Sequence, residues 1–176
     1  MTSIDAIRPR LHWAWIASLI SVAALAASSI LFANRQIVIN TSPSVPSGLY
    51  LRSTAAPAVG RIIDFRIPHA AKSYIETRTG QNGEDWYILK PIVAGPGDRV
   101  DTTGEWLLIN GQQIALMPPT KDTCGRSLPI WRDNHVLGPD EFFVFSNRIP
   151  NSFDSRCYGP IRRQNIESVR KPLITW

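Results

Sequence analysis

Three short stretches of this chain carry side chains able to do chemistry. The first is Thr41-Ser42-Pro43-Ser44-Val45-Pro46-Ser47-Gly48, the second runs from Lys90-Pro91 to Gly95-Pro96-Gly97-Asp98, and the third runs from Asn147-Arg148 through Ser152 and Asp154 to Arg156. A serine hydroxyl is a poor nucleophile until a base accepts its proton. No histidine is suited to be that base. His12 lies in a long apolar run, and His69 and His135 lie outside all three stretches. A lysine amine can serve if it sheds its proton near neutral pH. That needs a fall of several units from about 10.4, and burial in an apolar site supplies up to roughly 3–5. The chain has only four lysines: Lys72, Lys90, Lys121 and Lys171. Lys90 alone has the apolar company, with Trp86-Tyr87-Ile88-Leu89 before it and Ile92-Val93 after it. Each stretch also has a plainer reading. Ser, Pro and Gly clusters are usual loop material, a lysine at a strand end is usually a solvated charge, and an exposed Asp–Arg pair is worth little.

The elements that must position these residues are legible in outline. Leu11 to Ala33 is 23 residues without Asp, Glu, Lys or Arg. As a helix it spans roughly 34 Å, enough for a hydrocarbon core of about 30 Å. The apolar region of a cleaved secretory signal is only about 7–15 residues, so a retained anchor is expected, although Ala24-Leu25-Ala26 mimics a cleavage site. Trp13 and Trp15 suit a headgroup layer, and Arg8 and Arg10 favour a cytoplasmic amino terminus. The expected organisation is a cytoplasmic tail at 1–10, a single-pass anchor at 11–33, and an exported domain at 34–176. Ser44 lies eleven residues after Ala33, within at most roughly 35–40 Å of it, so chemistry at Ser44 would occur close to the membrane face.

Beyond the anchor, short β-rich runs recur: Gln36–Asn40, Arg61–Arg66, Asp85–Lys90, Glu105–Asn110 and Glu141–Phe145. Gly and Pro punctuate them, which predicts a mostly-β domain. Asn110-Gly111 predicts a type I′ hairpin, and His69 to Thr79 is the best soluble helix. Among 176 residues, 44% are hydrophobic, which excludes a disordered chain. The two cysteines exclude a disulfide-dense scaffold and give no zinc spacing, so no metal is expected. The net charge of +5 invites nucleic acid, but Arg162-Arg163 and Arg170-Lys171 have no recognition motif beside them. No nucleic acid is expected, and the basic tail is read as lying near anionic lipid.

Together and in this order, the three stretches resemble the signal peptidase I family of membrane-bound serine–lysine peptidases. Ser42-Pro43-Ser44-Val45-Pro46, Lys90 through Asp98, and Asn147-Arg148 through Arg156 match the family's three motifs. Val45 stands where Met is usual, Pro91 replaces an Arg, and Ser146 precedes Asn147 where Gly-Asp is usual. The stretches Ser44-x-Pro46-x-Gly48-Leu49-Tyr50, Lys90-Pro91-x-x-Ala94-Gly95-Pro96-Gly97-Asp98 and Asp154-Ser155-Arg156-x-Tyr158-Gly159-Pro160-Ile161 look closer to the TraF-type branch, conjugative-transfer peptidases that process pilin precursors for type IV secretion. The resemblance implies a signal-peptidase-like β-rich catalytic domain and no cofactor. It implies Ser44 as nucleophile and Lys90 as general base, acting through an acyl-enzyme. Ser42 is implied as an oxyanion donor with the Ser44 N–H, and Ser152 as the residue orienting the Lys90 amine. Asp154 and Arg156 would brace that loop, while Gly95, Gly97 and Asp98 form a turn behind Lys90. The implied partners are a membrane-associated, pilin-like precursor and inner-membrane lipid, with the domain in the periplasm. In such an oxidising compartment Cys124 and Cys157 are expected to pair, closing about 33 residues for roughly 3–4 kcal/mol. Two other readings are a general signal peptidase and a non-catalytic, membrane-tethered β-rich assembly module.

Overall fold

The computed structural model describes residues 8–80 and 86–176. Most of the expected amino-terminal tail, and Asp85 at the start of an expected strand, lie outside the described residues. The chain divides into two units, Met1–Val38 and Ile39–Trp176. In the first, Arg8–Ala33 forms one helix, α1. Its segment Trp13–Ala33 is 21 residues long, apolar enough to cross a membrane and not buried against protein.

The second unit is mostly β. In chain order the strands are β1 (Ile37–Asn40), β2 (Gly48–Ser53), β3 (Ile62–Arg66), β4 (Tyr87–Ala94), β5 (Arg99–Asp101) and β6 (Trp106–Ile109). They continue with β7 (Gln112–Leu116), β8 (Asn134–Val136), β9 (Glu141–Val144), β10 (Ile161–Arg162) and β11 (Ile166–Thr175). Helix α2 (His69–Thr79) follows β3, and a single helical turn, α3 (Ser155–Tyr158), precedes β10. One sheet has the order β1-β2-β11-β3-β4-β9-β10 and the other β7-β6-β5-β8.

Two apolar clusters form the core, and β9 contributes to both. Side chains alternate along a strand, so Phe142 and Val144 enter one apolar cluster with Ile63, Phe65, Ile92 and Val169. Phe143 and Phe145 enter the other, with Ala94, Val100, Leu107 and Leu137. A register shift in β4 between Ile92 and Ala94 lets these two residues reach different clusters although they share a parity.

The expected helix at His69–Thr79 forms, and it ends on Gly80 in the left-handed conformation, as a helix stop does. The expected hairpin forms too, with Asn110 and Gly111 at φ 53° and 81°, as a type I′ turn requires. Three expectations are corrected. Lys90 sits inside β4, not at its end, because β4 runs through Pro91 to Ala94. Pro91 is tolerated because it pairs with Ile62 of β3 while the β9 register starts only at Ile92, so its missing N–H falls just before the β9 ladder. The carboxy-terminal basic stretch is not a lipid-facing tail throughout. Arg170 lies in β11, wholly buried, and pairs with buried Asp64 at 2.7 Å. Cys124 and Cys157 are free thiols. Cys157 is fixed in the apolar core by α3, whereas Cys124 is exposed on the loop before β8, so the pairing argued from compartment alone is not formed.

Candidate active site

The stretch containing Ser44 connects β1 to β2, and one buried side chain holds it. Asn40, the last residue of β1, donates to the carbonyls of Ser42, Val45 and Pro46 at 2.8, 3.1 and 3.0 Å. The Asn40 side-chain oxygen, Oδ1, accepts the Ser42 N–H at 3.1 Å. A turn with two prolines has few N–H groups to satisfy its carbonyls, and the Asn40 amide does so from inside. Tyr50 adds a hydroxyl bond to the Pro46 carbonyl at 2.7 Å. Ser44 is 1% exposed, and its hydroxyl lies 3.0 Å from that of Ser42.

Lys90 is placed by strand alternation. Lys90, Ile92 and Ala94 are the buried positions of β4, so the lysine points the way an apolar residue would. It is 3% exposed. Loss of hydration on burial lowers its pKa to about 8; the Asp154 carboxylate opposes this fall, and the Arg156 guanidinium adds to it. The Nζ donates to Ser152 Oγ at 2.8 Å.

The loop carrying Ser152 is pinned by a buried ion pair. Arg156 Nε and Nη2 donate to the two Asp154 carboxylate oxygens at 2.9 and 3.0 Å. Asp154 also caps α3 by accepting the Arg156 backbone N–H. The remaining guanidinium nitrogen reaches the Leu116 carbonyl at 2.7 Å, and the guanidinium carbon lies 4.6 Å from the centre of the Phe145 ring. Such a pair is stable when buried because each charge is matched and its hydrogen-bonding groups are used. The turn after β4 is of type II, with Pro96 second and Gly97 third at φ 88°. The Asp98 N–H donates to the Gly95 carbonyl at 3.0 Å, and the Asp98 carboxylate accepts the Gly95 N–H at 2.8 Å.

The fold therefore brings all three stretches together. Ser146 ties the third to the first, since its hydroxyl donates to the Ser44 carbonyl, and Arg148 Nε donates to the Pro43 carbonyl at 3.3 Å. Ser42, Pro43 and Lys90 line one cleft of about 430 Å³ with Ile75, Ile88 and Phe153. Ser44 does not line it, and the Ser44 hydroxyl bonds Ser42, not the Lys90 amine. Chemically, an amine whose pKa is lowered to about 8, two adjacent serine hydroxyls and an apolar cleft could support transfer of an acyl group to serine once that amine loses its proton.

Sequence reasoning missed Asn40, Tyr50 and the bonding role of Ser146. Ser146 was visible as a departure from the family pattern, but its partner is a carbonyl 102 residues away. Nothing local distinguishes Asn40 from an ordinary strand-end asparagine.

The family model for "Signal peptidase, peptidase S26" matches residues 10–175. A plasmid transfer protein TraF from Escherichia coli is 34% identical over 147 residues, covering 78% of this chain and 82% of its own. A second Escherichia coli plasmid transfer protein TraF is 32% identical over 146 residues, with the same shares covered. The crystal structure of a signal peptidase I from Enterococcus faecalis V583 is 20% identical and covers 66% of this chain and 98% of that one, with a TM-score of 0.38.

Proposed function

This chain belongs to the signal peptidase, peptidase S26, family, and from that premise we propose that it is a membrane-anchored serine–lysine endopeptidase that processes a conjugative, pilin-like precursor. The observation that carries the reading is Lys90: a lysine buried among apolar residues, lowered to about 8 and hydrogen-bonded to Ser152 at the cleft that Ser42 also lines. In this reading Ser44 attacks the scissile carbonyl after its hydroxyl turns from Ser42 toward the Lys90 amine. Catalytic hydrogen bonds are often completed only when substrate is bound. Lys90 takes the serine proton and later gives it to the leaving amine. The Ser44 N–H and the released Ser42 hydroxyl stabilise the oxyanion, one such donor being worth about 3–4 kcal/mol. Water then releases the acyl-enzyme; attack by the amino end of the product instead would give a cyclic pilin.

The TraF relatives favour the plasmid-transfer branch for the substrate. The apolar helix supports a membrane anchor at 11–33; in this reading the membrane is the inner one, and Arg8 and Arg10 favour a cytoplasmic amino terminus, which leaves the domain from 34 onward periplasmic. Leu173, Ile174 and Trp176 are exposed at the end of β11 that pairs with Gly48 and Leu49, an apolar edge beside the Ser44 loop that suits contact with lipid. A general signal peptidase fits the same family, and its substrates would be many exported proteins. Co-expression with small membrane-protein precursors separates these readings. One shortened precursor is expected with wild type and none with Ser44→Ala or Lys90→Ala, and a mass lower by one water marks cyclisation. Processing that survives Ser44→Ala overturns the assignment, as does a failure of an active-site acyl probe to label Ser44.

A further inference from the structure

The cleft at Lys90 continues into a second compartment. Arg78, Asn151 and Phe153 line the cleft and also line a cavity of about 280 Å³, so the two adjoin along one groove. One wall of the second compartment is α2, where Tyr74 and Arg78 stand one turn apart on the same face. The other is the loop that carries Lys121, Asp122 and Arg126.

The charges of this compartment do not balance. Asp122 is already matched: its carboxylate accepts Arg126 Nε at 2.8 Å, the Tyr74 hydroxyl at 3.1 Å, and the backbone N–H groups of Cys124 and Arg126. Arg78 and Lys121 also line the compartment, and neither side chain makes a hydrogen bond or ion pair among the described residues. Two cations thus border a groove that begins at the proposed base, with the Phe153 ring between the compartments.

We propose that this compartment is a subsite for an acidic side chain, Asp or Glu, of the polypeptide being cleaved, and that Arg78 and Lys121 set this preference. The inference rests on the peptidase reading above. A carboxylate entering here meets two cations without displacing a partner among the described residues. Neutral side chains leave both cations hydrated, so the selection acts as a difference in affinity. Each partly exposed ion pair is worth up to about 1 kcal/mol, or about fivefold.

The test uses the full-length protein in detergent and a pool of randomised decapeptides, with the cut products read by mass spectrometry. Wild type is expected to enrich Asp and Glu about fivefold or more at one fixed distance from the cut, less so in 0.5 M salt. Arg78→Ala with Lys121→Ala should remove the enrichment through KM, not kcat. Arg78→Glu with Lys121→Glu should turn it toward Lys and Arg. Both side chains are exposed, and unchanged melting curves establish that the variants fold. Cutting without an acidic preference, or a preference unchanged in the variants, overturns this inference alone. Failure of wild type to cut any peptide, together with failure of Ser44 to react with an acyl probe, overturns the peptidase reading and the subsite with it.

Discussion

Lys90 is the residue on which pH should act most directly. Its amine is lowered to about 8 by burial, so the neutral base accumulates as pH rises through that value. The rate of acyl-probe labelling at Ser44 is expected to climb about tenfold per pH unit below 7 and level off above about 8.5. The same burial carries a stability signature. The unfolded chain keeps this proton up to about 10.5 and the folded chain only to about 8, so stability rises with pH across that window and the penalty is fully present below it. Lys90→Met removes the penalty but also the bond to Ser152. It should raise stability at pH 6 by about 2 kcal/mol, fade in effect toward pH 10.5, and abolish labelling; denaturant melts at the two pH values check this. Asp154→Asn has the opposite sign, because it leaves Arg156 buried without its counter-charge. A loss of about 3–5 kcal/mol is expected by the same melts.

At the scale of elements, the site depends on how β2 and β11 approach each other. Gly48 begins β2 at φ 153°, and a Cβ there would stand 2.1 Å from the Ile174 carbonyl oxygen, which is backbone and cannot rotate away. Gly48→Ala should therefore part the two strands at their ends, costing more than about 2 kcal/mol and raising amide exchange of Trp176, whose N–H donates to the Ser47 carbonyl. The strands that sequence reasoning found, such as β3 and β9, are those with dense apolar runs. β11 went unread although it is ten residues long. Arg170, Lys171 and Pro172 interrupt its apolar pattern, and the reason Arg170 is acceptable in a core strand is Asp64, on the neighbouring strand.

At the scale of the whole molecule, β11 joins the two halves of the site. The nucleophile loop leads into β2, Lys90 is on β4, and the sheet order places β11 and β3 between them. A chain ending at residue 165 lacks the strand that β2 and β3 both pair with. It should lose Ser44 labelling and be degraded rapidly in limited proteolysis, whereas removing Trp176 alone should do neither.

The chain by itself determined the local features: an uncharged run long enough to cross a bilayer, the helix at His69–Thr79, the Asn110-Gly111 hairpin, and three motifs whose order identifies a family. The run, the helix and the hairpin follow from spacing and composition within a few residues, whereas the family follows from the resemblance of three stretches far apart in the chain. Only the tertiary structure decided that Lys90 lies mid-strand against Ser152, that Asn40 and Ser146 hold the Ser44 loop, and that Cys124 and Cys157 stay apart. Each of those depends on which strands become neighbours, and a buried polar group is tolerated only when a partner arrives from elsewhere in the chain. Sequence periodicity carries a residue's face, not its partner.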